Sequence, residues 1–121
     1  MNILFHVSSD LMMASTVRIA AQQANLQYVN VPKFPGLDER IASCTDHWAL
    51  AVDLQTPNID LDALRDIVER NLVADDGDRS VWLYAQHVNE ELLARARLIP
   101  GCSVMTRGQF YRQIAGLLQA S

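Results

Sequence analysis

The 121-residue sequence predicts a three-layer α/β/α sandwich built around a five-stranded parallel sheet. Short apolar runs alternate about five times with segments whose apolar residues recur at helical spacing. Half of the residues are hydrophobic and a fifth are charged, so the chain can bury a core on both faces of a sheet. Together these two observations favour one α/β domain that covers residues 1–121.

Each strand is predicted from a short apolar run, and each helix from a repeating apolar face. The predicted strands cover residues 3–7, 27–31, 49–53, 80–85 and 102–105. The first helix ends near residue 25, and the next three cover residues 37–44, 60–72 and 89–98. The final helix uses Phe110, Ile114, Leu117 and Leu118. In the fourth helix the aligned apolar residues are Val88, Leu92, Ala96 and Ile99.

Turn and capping residues separate these elements. Ser8-Ser9-Asp10 offers N-cap side chains to the first helix, and Asp60 or Asp62 begins the third. Residues 75–78 form an acidic turn, and Pro100-Gly101 ends the fourth helix. Trp48 and Trp82 are expected in the core.

The alternation requires right-handed crossovers between parallel strands. The flavodoxin-like strand order 2-1-3-4-5 suits a chain of this size. In that order the loops after Val7 and Asp53 flank the point where the direction of the connections reverses. Ligands of open α/β sheets bind at this edge, so the functional site is expected there.

Composition argues against several classes of function. A formal net charge of -4 does not suit nonspecific nucleic-acid binding, which needs a basic surface. No apolar run reaches transmembrane length, and the N-terminus lacks the basic region of a signal peptide, so we expect a cytoplasmic domain without membrane contact. Cys44 and Cys102 lack metal-site spacing and are expected as buried, reduced thiols.

The stretch from Trp48 to Pro57 contains the most informative pattern. A buried strand ends in a carboxylate, Asp53, and a proline follows four residues later. Asp53 would therefore stand at the functional edge of a central strand. The alternative interpretation is an aspartate that only caps the following turn.

The whole chain resembles a response-regulator receiver (CheY-like) domain. Asp53-Leu-Gln-Thr-Pro57 stands where receivers carry their phospho-accepting aspartate and downstream proline. The first strand and helix agree in register, from Ile3 through Thr16-Val-Arg-Ile19 to Leu26.

Several family positions carry different residues here. The acidic pair that holds Mg²⁺ in receivers is replaced by Ser8-Ser9, whose neutral hydroxyls suit a hard cation poorly. Asp10 comes one position late and is expected to stabilise the first helix. Receivers carry a Thr or Ser at the end of the fourth strand, where this chain has Ala85 or Tyr84. They carry a lysine after the fifth strand, where this chain has Arg107. Lys33 follows the second strand and is too far away to replace that lysine.

These departures imply a degenerate receiver, or pseudo-receiver, with no metal, cofactor or enzymatic activity. Asp53 and Arg107 are expected to form a permanent ion pair that replaces the phosphate-dependent link. The resemblance implies a protein partner, or self-association, through the fourth helix, fifth strand and fifth helix.

Two alternatives stay open. The rim formed by Ser8, Ser9, Asp53 and Arg107 could bind a small anion in a flavodoxin-like domain, with further contacts from Tyr84, His87 and Thr106. The chain could also be a receiver that can still accept phosphate on Asp53, with Asp10 serving the metal. His6, His47 and His87 have no ligand-like spacing.

Overall fold

A computed structural model describes residues 3–45, 47–73 and 80–119 of the chain. Its five parallel strands are β1 (Ile3–Val7), β2 (Gln27–Val31), β3 (Trp48–Asp53), β4 (Val81–Ala85) and β5 (Ser103–Thr106). They form one sheet in the order β2-β1-β3-β4-β5, which confirms the predicted topology. The sheet therefore has a switch point between β1 and β3.

The five helices pack on both faces of this sheet. They are α1 (Leu11–Gln23), α2 (Leu37–Ala42), α3 (Leu61–Val73), α4 (Glu90–Ala96) and α5 (Arg107–Gln119). Successive strand residues point to opposite faces, which divides the buried side chains into two cores. One core joins the sheet to α2, α3 and α4 through residues such as Val7, Val52, Leu64, Leu83 and Leu93. The other joins it to α1 and α5 through residues such as Leu4, Val17, Ala51, Trp82 and Phe110.

Most of the predicted boundaries lie within two residues of those observed. Asp60 Oδ1 accepts hydrogen bonds from the backbone N–H groups of Asp62 and Ala63, so Asp60 is the capping residue of α3. Trp48 and Trp82 are buried as expected. The predicted turn at residues 75–78 and the side chain of Leu72 lie outside the described residues.

Two predictions of burial were wrong. Val88 is 68% exposed, because it lies in the loop before α4, and Leu93 takes the inward position instead. Cys44 and Cys102 are only half-buried, whereas full burial was expected. No disulfide joins the two thiols. Burial raises the pKa of the Cys102 thiol to about 11. In the described part of the chain, no helix has the length and apolar character needed to cross a membrane.

Candidate functional site

Asp53 is the last residue of β3 and lies at the predicted edge of the sheet, with only 7% of its surface exposed. Its Oδ2 accepts a hydrogen bond from Ser8 Oγ at 3.2 Å, and its Oδ1 accepts one from the backbone N–H of Gln55 at 3.0 Å. Burial raises the pKa of the Asp53 carboxyl, and these two hydrogen bonds oppose that effect. Asp53 is therefore a buried carboxylate whose two hydrogen-bond donors are both uncharged.

The two serines after β1 have different environments. Ser8 is buried and contacts Asp53, and its Oγ also accepts a hydrogen bond from the backbone N–H of Asp10 at 3.1 Å. Ser9 is exposed and makes no hydrogen bond to Asp53 within the described ranges. The structure therefore brings one of the two predicted hydroxyls to the site.

Asp10 is the N-cap of α1, and its carboxylate makes no hydrogen bond to Asp53 or to Ser8 in the described part of the chain. Its Oδ1 accepts hydrogen bonds from the backbone N–H groups of Met12 and Met13, and its Oδ2 accepts one from Arg107 Nη2 in an ion pair. The hydrogen bond from Met13 and the contact with Arg107 lower the pKa of the Asp10 carboxyl. The expected role in stabilising the start of α1 matches this geometry.

The predicted ion pair between Asp53 and Arg107 was wrong. Arg107 is the first residue of α5, which begins directly after β5 and packs beside α1. Its guanidinium therefore meets the capping carboxylate of Asp10. The positive charge still acts on Asp53 from a distance, because it lowers the pKa of that carboxyl against the larger effect of burial.

The end of β4 offers no hydroxyl to the rim. Ala85 is buried, and Tyr84 is fully buried under α5, where its ring stacks on Phe110 with centroids 4.2 Å apart. The hydroxyl of Tyr84 lies 2.8 Å from His6 Nε2. The expectation that Tyr84 contacts a ligand at the rim was therefore wrong, because α5 covers it.

Thr106 directly precedes α5, and His87 lines a groove together with Arg107 and Gly108 at the start of that helix. Thr106 Oγ1 accepts the backbone N–H of Gln109, whose Oε1 accepts the N–H of Thr106, so the two residues form a capping box. The Thr106 hydroxyl therefore has a structural role in starting α5. His87 is exposed in the loop after β4, and its contact with a ligand stays a prediction.

The loop after β3 contributes two residues that sequence reasoning missed. Thr56 is buried, and its Oγ1 donates to the carbonyl oxygen of Val7 at 3.4 Å. Gln55 Oε1 accepts the backbone N–H of Gln86 at 2.7 Å. These bonds join the β3–α3 loop to the ends of β1 and β4. Their position directly after Asp53 was the available signal, since polar residues there meet neighbouring strand ends.

A second missed cluster lies under α1 and α5. His6 is fully buried in β1, with Nδ1 2.8 Å from the Tyr28 hydroxyl and Nε2 2.8 Å from the Tyr84 hydroxyl. Burial lowers the pKa of His6 to about 4, so the ring is neutral at pH 7. A histidine inside an apolar strand was the signal, because a buried polar group needs partners on its neighbours.

The resemblance to receivers implies a Mg²⁺ ion beside Asp53, and the residues here do not fit one. Both oxygens of Asp10 are engaged by the helix cap and Arg107, and Ser8 offers a neutral hydroxyl. That leaves Asp53 as the carboxylate at the rim, whereas receivers add an acidic pair at the position of Ser8 and Ser9, whose neutral hydroxyls are poor ligands for a hard cation. Over residues 3–45, 47–73 and 80–119, no three His, Cys, Asp or Glu side chains form a metal-binding group.

No protein-family model and no curated protein matches the sequence. Solved structures do resemble it. CheY4 of Vibrio cholerae has a TM-score of 0.76 at 8% identity, over 99% of this chain and 98% of that one. The receiver domain of NtrC4 has a TM-score of 0.70 at 13% identity, over 99% and 98%.

Full-length FixJ from B. japonicum has a TM-score of 0.75 at 9% identity, over 98% of this chain. The match covers 56% of FixJ, so this chain spans about half of that protein. Identities this low establish the fold alone. The chain has the fold of response-regulator receiver domains.

Proposed function

We propose that this chain is a degenerate receiver, a regulatory domain that acts through protein contacts without Mg²⁺-dependent phosphorylation of Asp53. The observation that carries the proposal is the ion pair between Asp10 and Arg107. It engages both Asp10, the first carboxylate after β1, and Arg107, the arginine at the lysine position of receivers. Asp53 keeps only neutral hydrogen-bond partners.

Phosphoryl transfer to an aspartate needs positive charge around the transferred group, because negative charge spreads over its oxygens. A metal ion supplies most of that charge in a site with several carboxylates. Here Ser8 is neutral, Ala85 has no hydroxyl and Arg107 already has a carboxylate partner. The same pairing occupies Arg107, the arginine that the anion-binding alternative requires, so that alternative gains no support.

We further propose that α4, β5 and α5 form a contact surface for a protein partner or a second copy. Leu98, just beyond α4, is an exposed large apolar residue on this side. A domain that works without chemistry must exert its effect by contact. The NtrC4 receiver, which has the same fold, forms a beryllofluoride-activated dimer.

The test of the proposed function is incubation with acetyl phosphate and Mg²⁺, followed by intact-protein mass spectrometry. We expect no stable phosphorylated species, under conditions in which an active receiver in the same reaction is modified. Asp53→Asn is the background control. Stoichiometric phosphate on Asp53 would contradict the proposal and favour a receiver that can still accept phosphate on Asp53.

A gain-of-function variant provides a second measurement. Ser8→Asp with Ser9→Asp restores the acidic pair of receivers, so this double variant should bind Mg²⁺ by calorimetry where the natural chain does not. Saturable Mg²⁺ binding by the natural chain, lost in Asp53→Asn, would contradict the proposal.

A further inference from the structure

A row of polar side chains crosses the sheet beneath α1 and α5. It begins at Tyr28 on β2, passes through His6 on β1 and reaches Tyr84 on β4. The two ring nitrogens of His6 each lie 2.8 Å from a tyrosine hydroxyl. Asp53, at the end of β3, is the in-register neighbour of Tyr84. The row therefore joins a half-buried residue of the edge strand β2 to the central carboxylate of the fold.

The contact between His6 and Tyr84 depends on a small residue of β3, the strand that lies between them. Ala51 pairs in register with His6 on one side and with Trp82 on the other. Its methyl group leaves room above β3 for the imidazole and the phenol to meet. Asn30 Nδ2 donates to the carbonyl oxygen of His6 at 3.2 Å, which holds β2 against β1 beside the ring.

The Tyr84 end of the row responds to the charge on Asp53. Burial raises the pKa of the Tyr84 phenol, and the negative charge of Asp53 raises it further, whereas the Ser8 hydroxyl lowers it. Ser8 Oγ also donates to Asp53 Oδ2 at 3.2 Å. An ionised carboxylate therefore favours the orientation in which the Tyr84 hydroxyl points its hydrogen toward Ser8 and Asp53.

Other charges also act on the row, but from the helices that cover it. Asp10 at the start of α1 acts on His6, Arg18 in α1 acts on Tyr28, and Arg107 at the start of α5 acts on Tyr84. Asp10 and Arg107 form an ion pair with each other, so their opposite charges largely cancel. Asp53 is therefore the carboxylate whose change of charge the row should follow.

The His6 ring is neutral at pH 7, so one of its nitrogens carries a hydrogen and the other accepts one. If Tyr84 points its hydrogen toward Asp53, its oxygen accepts from Nε2–H, and Tyr28 donates to Nδ1. If Tyr84 instead donates to Nε2, the ring hydrogen is on Nδ1 and the Tyr28 oxygen accepts it. The first arrangement leaves the Tyr28 hydroxyl as an acceptor for other groups, and the second leaves it as a donor.

We infer that His6 is a tautomeric relay, which couples the charge on Asp53 to the hydrogen-bonding role of the Tyr28 hydroxyl on β2. In the change from the first arrangement to the second, Tyr28 gives its hydrogen to Nδ1 and takes another from water. Nε2 gives its hydrogen to Tyr84, and the former Tyr84 hydrogen passes through the Ser8 hydroxyl to Asp53. The net result is one proton moved from water to Asp53, and the ring and both phenols stay neutral.

This relay goes beyond the proposed function and does not rest on it, because it requires only that the charge on Asp53 change. Its product is a different hydrogen-bonding group on the edge strand, where a partner or a neighbouring backbone can contact it. The two neutral forms of the ring are distinguishable by NMR, because a nitrogen that carries a hydrogen differs in chemical shift from one that does not.

The experiment is a long-range ¹H–¹⁵N correlation spectrum of the histidine rings in the ¹⁵N-labelled chain at pH 7. We expect the hydrogen on Nε2 of His6 in the natural chain. In Asp53→Asn the amide oxygen can keep the backbone N–H of Gln55, which turns the amide donor toward Ser8. Tyr84 then loses its acceptor, so the hydrogen should move to Nδ1.

Tyr84→Phe tests the route. It removes only the hydroxyl that faces Asp53, so adding Asp53→Asn to Tyr84→Phe should leave the His6 tautomer unchanged. Asp66→Asn is the matched loss of one negative charge, on an exposed part of α3, and it should keep the natural tautomer. The exposed rings of His47 and His87 are references within each spectrum and should not respond to Asp53→Asn.

The same ring nitrogen protonated in the natural chain and in Asp53→Asn would overturn the inference. So would a response to Asp53→Asn that persists in Tyr84→Phe, because the charge would then act without the relay. An equal response to Asp66→Asn would also overturn it. Failure of the proposed function has a different readout, which is phosphate on Asp53 by mass spectrometry.

Discussion

Arg107 pairs with Asp10, the residue that caps α1, and not with Asp53. The pair joins the start of α5 to the start of α1, two helices that pack side by side on the same face of the sheet. Asp53 is left with a serine hydroxyl and a backbone N–H group. The cation and the central carboxylate of this fold are therefore separated and form no direct ion pair, although the charge of Arg107 still lowers the pKa of Asp53 against the larger effect of burial.

The first prediction measures that separation with double-mutant cycles. The side chains of Arg107 and Asp10 are 34% and 28% exposed, so their coupling should be that of a surface pair, about 0.5–1 kcal/mol. The coupling between Arg107 and Asp53 should be smaller. Urea denaturation of the single and double variants gives both values.

Asp10→Asn and Asp10→Ala separate the ion pair from the helix cap in the same series. Asparagine caps a helix as well as aspartate does, so Asp10→Asn should lose only the ion pair, whereas Asp10→Ala should cost about 1 kcal/mol more. A stronger coupling of Arg107 to Asp53 than to Asp10 would contradict the observed pairing.

The second prediction concerns the charge on Asp53. Because burial raises the pKa of this carboxyl, its contribution to stability is full below its unfolded pKa and is lost as pH rises through its folded pKa. Asp53→Asn should therefore increase the free energy of unfolding at pH 7 and have little effect at pH 3. Urea denaturation at both pH values measures the difference.

Asp66→Asn is the control for the loss of one negative charge, because Asp66 lies exposed on α3. Its effect on the free energy of unfolding should stay small at both pH values. If Asp53→Asn proved destabilising at pH 7, the ionised carboxylate would be a net stabilising group, and burial would not dominate at this site.

The fold could be predicted from the sequence because its determinants are local. The apolar run before Asp53 and the helical spacing of Leu61, Leu64 and Val68 each follow from a few neighbouring residues. The handedness of the crossovers then leaves few strand orders for five such units. Val88 shows where prediction from apolar spacing fails, because it continues the apolar pattern of α4 but lies before the helix begins.

Side-chain partners at the site could not be predicted in the same way. The partner of Arg107 is 97 residues away and depends on how the starts of α1 and α5 meet. Tyr84 follows the strand pattern of a rim residue, yet its exposure depends on Phe110 of α5 packing over it. Such contacts are set by packing between layers, which local patterns do not contain.

The third prediction compares two glycines that both have room for a Cβ atom. Gly116 lies in α5, and a Cβ there would meet nothing within 4 Å, so Gly116→Ala should stabilise the protein by about 0.5–1 kcal/mol through helix propensity. Gly36 has the same open space but a φ of +100°. Gly36→Ala should therefore destabilise, by about 1 kcal/mol.

Thermal unfolding of both variants checks this difference in sign. Equal shifts of the midpoint in the same direction would contradict it, because the two sites differ in backbone conformation and not in space.

The last prediction concerns His6 of β1, whose ring joins the hydroxyls of Tyr28 on β2 and Tyr84 on β4, across four neighbouring strands of the sheet. Burial lowers its pKa from 6.5 to about 4. A lowered folded pKa gives stability that is full above pH 6.5 and is lost as pH falls toward 4, since the unfolded chain takes up the proton first. The shift corresponds to about 3 kcal/mol over this window.

His6→Gln should isolate this effect, because the amide keeps one donor group and one acceptor but does not titrate. The variant should be less stable than the natural chain at pH 7, because a glutamine amide cannot contact the hydroxyls of Tyr28 and Tyr84 as the two ring nitrogens do. Its stability should nevertheless fall less steeply between pH 6.5 and 4, when both proteins are followed by urea denaturation. His87→Gln, at an exposed histidine, should keep the natural slope. Parallel slopes for His6→Gln and the natural chain would show that the buried imidazole does not govern the acid sensitivity of the fold.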